Sequence, residues 1–282
     1  HQVVARIRKA LQQRRVGHAG TLDPAASGLL VVGVGAGTRL LTFLVGLDKT
    51  YEATIRLGVG TVTDDAEGDV TSAPGCSDAV DVPAALEQFR GPLRQRPSAV
   101  SAIKVDGRRA YQRVRSGEDV HLPARDVTVH RLELIDTRAD TTPDGVAVLD
   151  ADVTMSVTTG TYVRAIARDL GQSLGSAGHL TALRRTAVGP FLVASAVALD
   201  DVGPTTRFLG LGAVASQVLP SFVVGDDDVA AVANGTRQPC QDGLGTPTAL
   251  LTRGGRLLSV ASCTDGRWRH HMVVPSATLE SP

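Results

Sequence analysis

The sequence predicts an α+β fold, with a mixed, largely antiparallel sheet and a few helices, followed by a small β-rich unit. Three observations point there. Alternating apolar patterns outnumber helical ones, the two kinds do not follow each other strictly as a doubly wound parallel sheet requires, and the hydrophobic pattern changes character after Pro220. With 282 residues, 43% of them hydrophobic, the chain can bury one large core and a small second one.

In chain order, Val4, Ile7 and Leu11 recur at helical spacing within residues 2–15, with Arg6, Lys9 and Arg14 elsewhere on the cylinder. This describes an amphipathic helix with a cationic polar side. A glycine-rich loop, a buried strand over 29–34 and a short helix over about 38–45, which Thr38 can cap, are expected next. Tyr51, Ala53, Ile55 and Leu57 alternate with polar neighbours, as a half-buried strand does. The acidic stretch that follows reads as a loop. Asp81 is placed to cap a short helix containing Leu86 and Phe89, ended by Gly91-Pro92. Residues 100–116 read as a strand and a short Arg-rich helix, and Val127, Val129, Leu132 and Leu134 mark a strand. Further strands are expected over 146–157 and 188–193, with a helix from Gly160-Thr161 to about residue 170 between them. After Pro220 come a short helix over 226–234 and apolar runs split by Gly254-Gly255 and Asp265-Gly266, both hairpin turns. The expected domains are 1–220 and 221–282.

The longest apolar stretch, 29–34 with Gly33 inside it, is far short of the ~20 residues that span a bilayer, and no signal-peptide pattern opens the sequence. The cytoplasm is the expected compartment. Cys76, Cys240 and Cys263 lie far apart with no C-x-x-C pair, so reduced thiols are expected, with neither a metal site nor a disulfide framework.

A formal charge of zero argues mildly against a nucleic-acid partner. The charge is nevertheless segregated. Residues 1–56 hold 8 basic and 3 acidic side chains and residues 90–138 hold 11 and 6, whereas 57–88 holds 7 acidic and no basic ones. Lys9, Lys49 and Lys104 are the only lysines, so 26 of the 29 basic residues are arginines, whose planar fork suits phosphates and base edges. A general bias toward arginine codons accounts for the preference equally well, but less well for the clustering. Gly33, Gly35 and Gly37 lack the spacing of a dinucleotide-binding loop, and no Walker-type G-K-[ST] occurs.

The stretch Gly17-His18-Ala19-Gly20-Thr21-Leu22-Asp23-Pro24-Ala25-Ala26-Ser27-Gly28-Leu29-Leu30 carries the chemistry. A carboxylate before proline in a glycine-dense loop is held extended and can stand at a cleft edge. Taken locally, Asp-Pro is an ordinary turn pair, and a turn-capping role for Asp23 outweighs a catalytic one.

The whole string resembles the G-H-x-G-x-L-D-P signature of the TruB family, the synthases that make pseudouridine 55 in the T-loop of transfer RNA. Lys49-Thr50-Tyr51-Glu52-Ala53 is similar to the family's active-site tyrosine motif, and Gly160-Thr161-Tyr162-Val163-Arg164-Ala165-Ile166 to its G-T-Y-x-R motif. Similarity continues through Pro97-Ser98-Ala99-Val100-Ser101-Ala102-Ile103-Lys104 and His179-Leu180-Thr181-Ala182-Leu183-Arg184-Arg185, and so covers nearly all of the first 200 residues.

The resemblance implies that Asp23 is the catalytic carboxylate and Arg164 its partner. Tyr51 becomes either the platform for an extruded base or a proton carrier, two roles the sequence does not separate. Tyr162 and Leu183 are implied to shape the pocket and His18 to hold the T-loop. The reaction breaks the C1′–N1 bond and joins C5 to C1′ without net redox change, so no cofactor and no metal are expected. The family's insertion makes residues 90–135 an RNA clamp, with Lys104, Arg108, Arg109, Arg113 and Arg115 as contacts to RNA, although a solvated helix face explains any one of them equally well. Residues 221–282 resemble, weakly, a short PUA RNA-binding module; with 5 arginines against 6 acidic residues, a dominant electrostatic role there is doubtful. The expected enzyme is a monomer acting on tRNA, with no membrane and no obligate protein partner; an RNA-binding or tRNA-folding chaperone is the rival class. Family members usually carry a strand and a D-K-P-x-G-x-T-S stretch ahead of the histidine that stands here as His1, and a truncated start is expected.

Overall fold

A computed structural model describes residues 2–98, 122–240 and 246–275, together with the backbone of 104–105 and 108–109. In chain order its elements begin with helix α1 (Gln2–Ala10) and strands β1 (Val16–His18), β2 (Ser27–Gly28) and β3 (Val32–Val34). A 3-10 helix (Gly35–Phe43) precedes β4 (Lys49–Leu57), β5 (Gly60–Thr61), β6 (Val70–Ser72), helix α2 (Val82–Glu87) and β7 (Gly91–Gln95). Then come β8 (Lys104–Val105), β9 (Arg108–Arg109), β10 (Arg125–Thr141), β11 (Ala147–Val157), helix α3 (Val163–Ser173), β12 (Gly178–Val188) and β13 (Phe191–Leu192). Helix α4 (Leu211–Val218), β14 (Ser221–Val223), helix α5 (Val229–Ala233), β15 (Thr248–Leu251), β16 (Leu257–Thr264) and β17 (Arg267–Val273) complete the chain.

The main sheet runs β13-β12-β4-β11-β10-β7 with every neighbouring pair antiparallel, and β2 adds to β12 in parallel. The sheet is thus mixed and largely antiparallel, as the sequence predicts. Alternation in β4 buries Ala53, Ile55 and Leu57, and α3 lays Val163, Ile166, Ala167 and Leu170 into the same core. At Gly178, where β12 begins, a Cβ would stand 2.3 Å from the Ala167 carbonyl, so only glycine lets α3 lie this close to the sheet. This contact sets the level of Arg164, the second residue of that helix, one turn before Ala167.

The second sheet, β14-β15-β16-β17, turns at Gly254-Gly255 and Asp265-Gly266 as expected. Its face packs Ala249, Leu257 and Val260 against Ala215 of α4 and Leu40 of the 3-10 helix.

Several local expectations are corrected. The strand expected over 29–34 is confined to Val32–Val34, because the Leu29 N–H is committed to the Arg185 carbonyl at 2.7 Å. The helix expected over 38–45 is the 3-10 helix that already starts at Gly35, and Thr38 donates back to the Gly35 carbonyl instead of capping. Gly91-Pro92 opens β7, an edge strand where a missing proline N–H is tolerated. The strand expected over 188–193 breaks at Gly189-Pro190, and the long strand is β12, whose charged Arg184 and Arg185 disguise it. Asp81 does cap α2, accepting from the Ala84 N–H at 2.9 Å. Arg108 and Arg109 lie in a short ladder with Lys104 and Val105 rather than a helix; the rest of the expected Arg-rich helix, with Arg113 and Arg115, and the side chains of Lys104, Arg108 and Arg109 lie outside the described residues.

Cys240 and Cys263, expected as free thiols, are joined in a disulfide with a Cα–Cα distance of 5.9 Å. Sequence spacing missed the pair because residues 238–240 return to lie along β17, with the Cys240 N–H on the Gly266 carbonyl and the Trp268 N–H on the Gln238 carbonyl. Cys76 is free and buried.

Candidate active site

The site grows from the loop between β1 and β2. The Ala26 N–H donates to the Asp23 carbonyl at 3.0 Å, so Asp23-Pro24-Ala25-Ala26 is the tight turn the sequence allows. The turn uses only the backbone of Asp23. Its side chain, 35% exposed, accepts at Oδ2 from Arg164 Nε at 2.8 Å.

Arg164 is almost fully enclosed, with 6% of its side chain exposed. A guanidinium so placed needs several acceptors. It has them: Nη1 donates to the Thr63 carbonyl at 2.8 Å and lies 3.3 Å from Asp65 Oδ2. The Thr61 hydroxyl donates to the Asp65 carbonyl at 2.7 Å and the Glu67 N–H to Asp65 Oδ1 at 3.1 Å, holding that carboxylate in place. One turn further along α3, Arg168 Nη1 faces Asp64 Oδ2 at 3.2 Å. Burial pushes the Asp64 carboxyl above its ordinary range, against the pull of the Arg168 and Arg164 guanidinium groups. The stretch that reads as an acidic loop is therefore the counter-charge to the buried Arg164 and the half-buried Arg168.

A second arginine fixes the loop itself. Arg185 of β12 is fully buried and donates to three carbonyls of the loop: Leu29 from Nε at 2.8 Å, Thr21 from Nη1 at 3.3 Å and Gly20 from Nη2 at 3.2 Å. Gly28 permits this approach. Its φ is +96°, and a Cβ there would stand 2.2 Å from the Arg185 carbonyl.

Tyr51 lies opposite Arg185 across the β4–β12 ladder, and Leu183 lies opposite Ala53, so Tyr51 and Leu183 are diagonal neighbours on one face. Burial pushes the Tyr51 phenol above the usual tyrosine range; Arg185 draws it down by charge and hydrogen bond, and the Asp23 carboxylate pushes it up. Lys49, at the head of β4, donates to the carbonyls of Val45 and Leu47 at 2.7 and 2.6 Å and to the Thr159 hydroxyl at 3.0 Å. Burial, followed by the nearby Arg185 charge, draws its ammonium below the ordinary lysine value.

Tyr162 precedes α3 and is held through its backbone by the buried Gln95, which accepts from its N–H at 2.8 Å and donates to its carbonyl at 3.0 Å. His18 ends β1, and its Nδ1 is buried without a hydrogen-bond partner among the described residues. Asp23, Tyr51, Arg164 and Leu183 are thus assembled around one centre, with Tyr162 two residues from Arg164 and His18 on the strand feeding the loop. Sequence reasoning missed Arg185, Asp65 and Gln95. The available signals were an Arg pair inside an apolar alternation and the Thr63-Asp64-Asp65 turn, where Asp64 takes a φ of +58°.

Among the described residues no cluster of metal-ligating side chains occurs, and no helix is long and apolar enough to cross a membrane.

Residues 8–163 match the TruB family pseudouridylate synthase (N terminal domain), and residues 164–209 match the tRNA pseudouridylate synthase B C-terminal domain. The tRNA pseudouridine synthase B of Arthrobacter sp. (strain FB24) is 49% identical over 88% of this chain and 81% of its own length. The same-named protein of Cutibacterium acnes is 51% identical over 92% of this chain and 88% of its own, and that of Thermobifida fusca 45% identical over 94% and 91%. Among solved structures, a crystal structure of a Cbf5-Nop10-Gar1 complex overlays with a TM-score of 0.72, covering 98% of this chain and 82% of that one. At 24% identity, that likeness speaks for the fold alone.

Proposed function

Since this chain belongs to the TruB family of pseudouridylate synthases and forms pseudouridine in tRNA, we propose that its target is uridine 55 of the T-loop and that Asp23 is the essential carboxylate. The observation that carries this reading is the Asp23–Arg164 pair. The guanidinium holds Oδ2 while Oδ1 makes no hydrogen bond among the described residues, leaving one carboxylate oxygen for the ribose.

Isomerisation requires the C1′–N1 bond to break, the uracil to turn, and C5 to join C1′ while the proton leaves C5 and N1 gains one. Atoms and electrons balance within the nucleoside, so the protein's share is positioning, charge and proton movement. Asp23 serves either by attacking C1′ or by stabilising and deprotonating the sugar intermediate. The extruded base stacks on the Tyr51 ring, with Leu183 and Tyr162 bounding it. A tyrosine phenol is protonated at neutral pH and burial raises its pKa further, so Tyr51 also has a proton to share. His18, whose buried Nδ1 has no hydrogen-bond partner among the described residues, holds the T-loop beside the flipped nucleotide.

In this reading residues 1–220 form the catalytic domain, the insertion of about 90–135 with Lys104, Arg108, Arg109, Arg113 and Arg115 closes on RNA, and 221–282 are a PUA-like RNA-binding domain. The enzyme acts in the cytoplasm as a monomer. Asp23→Asn tests the centre of the proposal: tritium release from a C5-labelled T-stem-loop is expected to vanish while RNA affinity stays within about twofold of wild type, since one neutral isostere leaves the phosphate contacts intact. Undiminished release removes Asp23 from the mechanism.

A further inference from the structure

Arg125 lies within the 90–135 segment read above as closing on RNA but is given no individual role there, and it contacts Tyr162. It is the first residue of β10, directly opposite Gln95 in the β7–β10 ladder, and Gln95 is the side chain that grips the Tyr162 backbone at both its N–H and its carbonyl. Ladder and grip together bring the Arg125 guanidinium over the Tyr162 ring, with Cζ 5.6 Å from the ring centroid. Tyr162 is two residues from Arg164, whose Nε holds Asp23. Arg125 is therefore anchored on an aromatic face two residues along the chain from the arginine that holds Asp23.

Its hydrogen bonding is incomplete. Nε is buried and has no acceptor among the described residues, and the guanidinium makes no ion pair there. The other enclosed arginines behave differently: Arg164 has two carboxylates and a carbonyl, and Arg185 has three carbonyls. A buried N–H deprived of water and given no partner costs about 1–3 kcal/mol, so a fold that keeps one at the mouth of a site holds it for an acceptor that arrives with the substrate. The stack on Tyr162 fixes the plane of the fork, which suits the two non-bridging oxygens of a phosphodiester.

We propose that Arg125 is a substrate-binding residue that grips the backbone phosphate adjoining the extruded uridine, the Tyr162 ring setting the guanidinium plane. The proposal rests on the reading of the site as one for a flipped uridine in RNA. Gripping that phosphate beside the Asp23–Arg164 pair holds the nucleotide out of its stack while the base turns.

The test uses the full chain and a T-stem-loop RNA carrying a single uncharged methylphosphonate linkage, placed in turn 5′ and 3′ of the target uridine. With wild type, one of the two linkages is expected to weaken binding about tenfold, the scale of a lost charge-assisted contact. With Arg125→Gln that penalty is expected to disappear, and the slope of log affinity against log salt to fall by about 0.7–0.9, one phosphate's worth. Arg125→Lys is expected to restore both, and Arg125→Met replaces Arg125→Gln should the latter fail to fold. A purely structural role predicts lower stability with slope and both linkage penalties unchanged, and that result overturns the proposal. Mapping the product of the wild-type protein in the same preparation separates the two levels: absence of pseudouridine at the T-loop uridine sinks the functional reading, whereas product formation with an unchanged slope sinks only the role of Arg125.

Discussion

Gly28→Ala removes nothing from the site and adds one methyl group, yet it is expected to disable the enzyme. The substituted Cβ would lie 2.2 Å from the Arg185 carbonyl oxygen, where an ordinary carbon–oxygen approach is about 3.3 Å, so β2 must retreat from β12 by about 1 Å. That retreat breaks the Leu29 N–H bond to the Arg185 carbonyl (2.7 Å) and the Arg185 Nε bond to the Leu29 carbonyl (2.8 Å). The first is a neutral bond of about 1 kcal/mol and the second a charge-assisted one of about 1.5–3 kcal/mol. Holding alanine at a φ of +96° adds about 1–2 kcal/mol. Together these come to a loss of about 3.5–6 kcal/mol of stability. Because Asp23 rides on the same loop, a 1 Å displacement also costs about a hundredfold in turnover. Urea unfolding gives the stability and single-turnover tritium release gives the rate. A variant within about 1 kcal/mol and twofold of wild type on these scales would refute the claim that the β2–β12 contact positions the carboxylate.

Arg164→Lys replaces a fork that bridges Asp23, Asp65 and the Thr63 carbonyl with a point charge able to satisfy fewer of them; turnover is expected to fall at least about a hundredfold with the salt slope of RNA binding unchanged, and a rate near wild type refutes the bridging role. Asp64 has its carboxyl raised by burial, so its ionisation opposes folding: the relative stability is fully present below the unfolded pKa and lost as pH rises through the folded one. Asp64→Asn is accordingly expected to compare more favourably with wild type at about pH 7 than at about pH 4 in urea unfolding, and the opposite trend refutes it. Alkylation of unfolded, unreduced protein is expected to label Cys76 alone, and of reduced protein all three cysteines; three labels without reductant refute the Cys240–Cys263 bond.

Much of this protein was legible in the residue string because the relevant signals are local. Alternation marked β4, Asp81 marked the start of α2, and the two glycine turns marked the second sheet. The motifs around Asp23, Tyr51 and Arg164 pointed to a family and a chemistry before any coordinate was known. Where local reading failed, distant residues had taken over a backbone group or a charge. Leu29 leaves its expected strand because its N–H serves Arg185, and β12 is disguised because an arginine buried against carbonyls looks, in sequence, like a solvated one.

The linear order of residues determined by itself the fold class and the two-sheet organisation, since periodicity and turn residues are properties of short segments, and its motifs carried the resemblance to the family. Only the tertiary structure decided that the acidic stretch is the counter-charge of arginines on helix α3, that Arg185 holds the Asp23 loop, that Cys240 meets Cys263, and that Arg125 lies over Tyr162 with an N–H that has no acceptor among the described residues. Each of those is a pairing between residues well separated along the chain, and which buried polar group meets which partner depends on where the strands and helices come to rest.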